Sequence, residues 1–241
     1  DLNEFSIIAA NESINYLKKQ NFNFKFNSIL DQNQSDKLLV DIISEYNSLL
    51  VLNEIGFDPI YGVNGGPIDL CKLFNSKELS ESFFIDEVLL PNPGSHTKQF
   101  RHLMSLLKNI NNVDIIEFIS YGSQITKINS GELMKTHNEN VKELSNTNKI
   151  SIKKPIQGAI ISPGKLDPFV TLSKSLHAIW NCYKIVKPQG PIGLVAESSF
   201  GFGSEALNIY VHNPPEFTKI LKQKTYIRGL EDVIFLNNIR K

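Results

Sequence analysis

Lys174 and His177 stand three residues apart inside LSKSLHAIW, where Leu172, Leu176, Ile179 and Trp180 recur at helical spacing. Residues three apart are neighbours on a helix surface, so an ammonium and an imidazole share one patch there. That pair could bind an anion and move a proton near neutral pH. Ahead of it the turn Ser162-Pro163-Gly164-Lys165 leaves an apolar run, and beyond it Glu197 opens the glycine-rich ESSFGFG. Ser162, Gly164, Lys165 and Glu197 are therefore candidate ligand-binding positions. A third polar loop, GFDPIYGVNGGPI, carries Asp58 as a candidate acid or base. In it Gly65 and Gly66 precede Pro67 and could free backbone amides for an anion at a helix start. The plainer alternative is a tight turn into a helix. The stretch matches neither GxGxxG nor GxxxxGK[ST]. A cap or backbone contact is likewise the plainer role for Glu197, and packing on Trp180 for His177.

These loops need elements to hold them. Ala159 to Ile161 and Ile192 to Ala196 are short continuous apolar runs, predicting two buried parallel strands joined by a helix over Val170 to Val186. Open α/β sheets present ligands at the carboxyl ends of such strands, where the SPGK and ESSFGFG loops fall. Elsewhere, strands are predicted over Glu4 to Ala10, the alternating Phe22, Phe24 and Phe26, Ser48 to Leu52, Phe83 to Leu90, Val113 to Ile119 and Asp232 to Leu236. Helices are predicted over Glu12 to Gln20 behind Asn11, after Ser35 on Leu38, Leu39, Ile42 and Ile43, over Thr97 to Leu107 and over Glu132 to Leu144, then in SEALNIYV and EFTKILKQ. ISYGSQITKINSGEL reads as a polar loop, and Lys149, Lys153 and Lys154 as a solvated face. The expected class is α/β: mainly parallel sheets with helices on both faces. Two lobes, residues 1–150 and 151–241, would enclose a cleft.

Composition narrows the function classes. The 241 residues carry 25 Lys plus Arg against 25 Asp plus Glu, so no global charge favours nucleic acid or an anionic membrane. No stretch reaches the apolar length of a spanning helix, and the chain opens without a secretory pattern, which predicts a cytoplasmic protein. Cys71 and Cys182 are isolated and suit small buried hydrophobes better than a metal site or disulfide. No metal ligands are assigned, and assembly into a homo-oligomer stays open.

In their order and spacing these segments resemble the nickel-pincer lactate racemase family. Its SPGG pattern is similar to Ser162-Pro163-Gly164-Lys165, its QSxKA to Lys174-Ser175-Leu176-His177-Ala178, and its AExxxGxG to Ala196-Glu197 with Gly201 and Gly203. Its earlier PHxxAGxSGGxK resembles Pro59 to Ile68 with Asp58 before it, while Asn92-Pro93 and Gly131 to His137 fall in the family's order. The resemblance implies a two-lobed α/β protein with a cleft for a pyridinium-type nickel-pincer nucleotide, interconverting the stereoisomers of a 2-hydroxy acid. In the family a histidine at the position of Asp58 and a lysine at that of Ile68 serve cofactor and catalysis. The glutamine and lysine of QSxKA, which bind substrate or cofactor, fall on Lys174 and His177. Aspartate lacks the imidazole and isoleucine cannot attach a thioacyl group, so the expectation is a small anionic metabolite bound without orthodox racemisation. A non-catalytic structural or regulatory paralogue and a nucleotide-binding enzyme are the alternatives.

Overall fold

The computed structural model describes residues 48–74, 77–86, 90–92, 94–121, 124–147, 150–164 and 171–239, and the backbone of two further strands. Those strands, β1 (Ser6–Ala9) and β2 (Lys25–Ser28), pair in parallel. The helices expected after Asn11 and Ser35, with Pro93, Lys149 and Lys165, lie outside the described residues.

The larger sheet is built on β6 (Val113–Tyr121), whose alternation turns Val113, Ile115, Glu117 and Ile119 into the protein. It pairs in parallel with β3 (Leu49–Glu54) and antiparallel with β7 (Gln124–Glu132). Against its inner face lie α1 (Gly66–Phe74) and α4 (Leu133–Thr147). Between β3 and α1 a small antiparallel pair, β4 (Phe57–Asp58) and β5 (Gly62–Val63), turns the chain back. Two helices follow, α2 (Lys77–Phe83) and α3 (Lys98–Leu106), the second capped by the Thr97 hydroxyl accepting from Phe100 N.

The predicted β-α-β unit is present. β8 (Ala159–Ile161) pairs in parallel with β9 (Ile192–Leu194), and α5 (Leu172–Trp180) makes the crossover. Then come α6 (Glu205–His212), α7 (Pro214–Gln223) and α8 (Leu230–Ile239). One apolar core runs through both halves of the sequence, from Ile60, Leu79, Phe100 and Leu133 to Leu176, Trp180, Leu207 and Phe235. A smaller cluster of Ile55, Val63, Ile119, Val141 and Leu144 fastens α4 to β6.

Several expectations are corrected. The fold is mixed α/β, with helices against its sheets, and not mainly parallel: the β6–β7 hairpin is antiparallel and uses the segment read as a polar loop. β7 is exposed along most of its length, so it lacks the apolar alternation that marks a strand. Phe83 ends a helix, because Leu79, Ser82 and Phe83 are buried at helical spacing. Asp232 to Leu236 is helical within α8, which buries Leu230, Glu231, Asp232, Val233 and Phe235 and so shows no one-sided stripe. Finally, β8 and β9 are covered on one face only, Ile160 being 85% exposed, and α5 stops at Trp180 before a short 3-10 turn at Tyr183–Ile185.

Gly62 turns β4 into β5 at φ +87°, and an added Cβ would sit 1.8 Å from the Ser95 carbonyl oxygen. Gly62→Ala is expected to lower stability by roughly 2 kcal/mol or more in chemical denaturation, since both backbone and neighbour resist the methyl. Gly193→Ala, whose Cβ would first meet Ile160 at 3.8 Å, is expected to stay within about 0.5 kcal/mol.

Candidate functional site

The carboxyl end of β3 delivers Glu54, and the chain then turns through Ile55, Gly56 and Phe57 into β4. Asn64 folds back over this turn: its Oδ1 accepts from Gly56 N at 2.6 Å and its own N donates to Gly56 O at 3.0 Å. α5 crosses the same place and brings His177 and Asn181. Together these seven residues line an open recess of about 250 Å³.

α5 is held firmly at its start. Leu172 N donates to Gly201 O and Ser173 N to Phe202 O, both at 2.9 Å, while Lys174 N and Ser175 N are taken by the Thr171 hydroxyl and carbonyl. These four amides are therefore occupied and offer nothing to an anion. Gly203 lies so close to Thr171 that a Cβ there would come within 2.2 Å of its hydroxyl, which fixes the glycine loop to the helix.

His177 stacks its ring on Trp180, centroids 4.0 Å apart and planes within 20°. Desolvation by the surrounding protein lowers its pKa to about 4, with the charges of Lys72 and Lys174 adding and Glu231 opposing. The imidazole is neutral at pH 7. Across the recess, partial burial raises the pKa of Glu54, whose Oε1 accepts a hydrogen bond from the Ser120 hydroxyl. A neutral imidazole and a carboxyl pushed towards its protonated form can accept and donate protons to one bound molecule. The Asn64 and Asn181 amides supply uncharged polar groups beside them.

The predicted site residues divide between places. Lys174 and His177 are together on α5, both exposed, with Lys174 close enough for its charge to act on the ring. Asp58 does not line the recess. It is buried behind it, with Oδ1 accepting from Ile60 N and Tyr61 N at 2.8 Å each and Oδ2 3.4 Å from Lys72. Lys72 reaches on to Glu231 at 2.7 Å, and Glu231 accepts from the Tyr226 hydroxyl at 3.0 Å. Burial alone would weaken the Lys72 ammonium, but Glu231 and Asp58 outweigh it and hold its pKa well above the usual lysine value. For Asp58 the balance goes the other way: burial raises its pKa and Lys72 only tempers the shift.

Gly65 and Gly66 lie over a buried network. A Cβ on Gly65 would come within 2.8 Å of Glu117 Oε1, and one on Gly66 within 3.1 Å of His137 Nδ1. Glu117 pairs with His137 at 3.0 Å and accepts from Asn140 at 2.8 Å, so the acidic group beside these glycines is the protein's own side chain. Ser162, Gly164 and Glu197 are exposed at the carboxyl ends of β8 and β9, away from the recess lining; Gly164 N donates to Ser162 Oγ at 3.2 Å. Glu54, Asn64 and Asn181 were not singled out from the sequence as site residues. For Glu54 the signal was its place at the end of a strand.

No family model and no curated protein matches the chain. A solved structure does: the lactate racemase apoprotein from Thermoanaerobacterium thermosaccharolyticum, at TM-score 0.67 and 18% identity over 97% of this chain. The chain has the lactate racemase fold. It spans 64% of the length of that racemase chain. Among the described residues no three His, Cys, Asp or Glu side chains gather in a way that could hold a metal ion. No described helix is long and apolar enough to cross a membrane.

The environment of His177 gives a direct prediction. In histidine-resolved NMR its ring is expected to titrate near pH 4, well below the ordinary 6.5, and to stay neutral throughout the physiological range. In Lys174→Gln the midpoint should rise, because one repelling charge is gone. A wild-type midpoint at 6 or above would mean that the recess imposes no such environment.

Proposed function

We propose that the chain is a small-molecule-binding protein on the lactate racemase scaffold, taking a small anionic acid into the recess between β3 and α5. The observation that carries this reading is the convergence of Glu54, His177, Asn64 and Asn181 on one recess. In it Lys174, one turn before His177 on α5, attracts the ligand's carboxylate. The two amides orient a hydroxyl or carbonyl, His177 accepts a proton and Glu54 returns one. The two halves, 1–150 and 151–241, act as lobes joined through Lys72 and Glu231, and Ser162, Gly164 and Glu197 extend the binding surface along the β8 and β9 loops.

The nickel-pincer nucleotide of the resembling family does not fit these residues. The position that resembles its histidine is Asp58, whose carboxylate is engaged by two backbone amides and Lys72. The position that resembles its lysine is Ile68, fully buried and without a group to attach. The proposed proton transfer therefore runs through this chain's own side chains.

One observation favours a second reading, a non-catalytic structural or regulatory subunit. Leu50 and Leu52, 59% and 69% exposed, present apolar side chains on the open face of β3. Binding separates the two. Titration with small 2-hydroxy acids, followed by the His177 resonances, should saturate at millimolar concentration, with Lys174→Ala weakening affinity about fivefold for one lost exposed charge. For His177→Gln the fold should be kept and the ligand-induced proton uptake or release seen in calorimetry across buffers lost. Equal binding of the neutral amides would remove the anion from the proposal, and no binding by any of them would leave the subunit reading standing.

A further inference from the structure

Asp232 stands in the first turn of α8 with 1% of its surface exposed, and neither carboxylate oxygen has a hydrogen-bond partner. A buried carboxylate without donors is among the least favourable arrangements a fold can keep, unless it holds a proton. Its neighbours make the ionised form harder still. Glu231 and Asp58 repel it, and Lys72, the cation acting on all three, is already engaged by Glu231 at 2.7 Å and Asp58 at 3.4 Å. The group thus has more acids than its ammonium can balance. On the α5 side the Ser173 hydroxyl is near enough to favour the carboxylate, though short of a hydrogen bond. On the α6 side Gly229 packs against both Asp232 Oδ2 and Ser204 Oγ, the cap of α6.

We infer that Asp232 is a proton-controlled latch on α5: protonated, it lets α5, α6 and α8 pack as they do here, and losing the proton shifts the start of the helix that carries Lys174 and His177. Once ionised, the carboxylate seeks a donor, and Ser173, in the first turn of α5, is the hydroxyl poised to supply it. The movement reaches the recess through α5 itself, since Ser173 and His177 are one turn apart on that helix. Burial first, then Glu231, raises the Asp232 pKa to about 7, which places the switch at physiological pH. The functional consequence rests on the recess being the binding site; the latch itself does not.

Trp180 is the chain's single tryptophan and is stacked on His177, so its fluorescence reports on α5 without any ligand. Between pH 5.5 and 8.5 the full chain is expected to show a one-proton step in Trp180 emission centred near pH 7. Asp232→Asn, an isostere of the protonated acid, should abolish the step and keep the low-pH signal throughout. Ser173→Ala should flatten the fluorescence step but retain the fall in thermal stability with rising pH that a raised carboxyl pKa produces. His177→Gln should keep the step, because His177 titrates below this window. A flat wild-type profile, or a step that survives in Asp232→Asn, overturns the latch. Loss of acid binding with the step intact would count against the recess alone.

Discussion

The Lys72 ammonium holds the two halves of this chain together. It comes from α1, early in the sequence, and bridges Asp58 of β4 to Glu231 of α8, which the chain reaches only after 159 further residues. Such buried ion pairs add little net stability over an apolar replacement, yet removing one partner costs about 3–5 kcal/mol because the others are left charged and dry. The pairing ties α8 to α1 and β4, with the Tyr226 hydroxyl completing the Glu231 carboxylate. Tyr61, hydrogen-bonded to Ser82 at 3.1 Å, extends the same polar seam to α2. The seam's charges also reach the recess. Lys72 acts on His177 from behind, so the pairing that organises the core also helps keep the imidazole neutral.

Several elements were legible because burial imposed a period on them. β6 alternates cleanly, α3 has a capped apolar face, and the β8-α5-β9 unit has apolar runs separated by a helical repeat. Elements whose burial is not one-sided were misread. α8 is enclosed around its first turns and looks like a strand in sequence; β7 is exposed over most of its length and looks like a loop. Helical spacing makes Lys174 and His177 legible as neighbours on one helix, and of the two His177 lines the recess. Glu54 and Asn181 meet only through the fold, and the Lys72–Glu231 pair leaves no local trace at all.

The glycines show why likeness to a racemase fold does not by itself carry racemase chemistry. Gly65 is required because Glu117 approaches within 2.8 Å of where a side chain would begin, and Gly203 because Thr171 fills the corresponding space. Both would be needed in a protein that bound nothing. The resemblances at Gly65 and Gly203 therefore report close approaches of backbone to neighbouring elements, while Gly164 and Gly201, with nothing within 4 Å of an added Cβ, report only turns at positive φ, and a common fold preserves both kinds whatever the chain binds. Chemistry has to be argued from groups that packing leaves unused. Among the described residues these include the ring of His177, the partly desolvated carboxyl of Glu54 and the unpartnered carboxyl of Asp232. The first two open on one recess, and the third is buried in the first turn of α8.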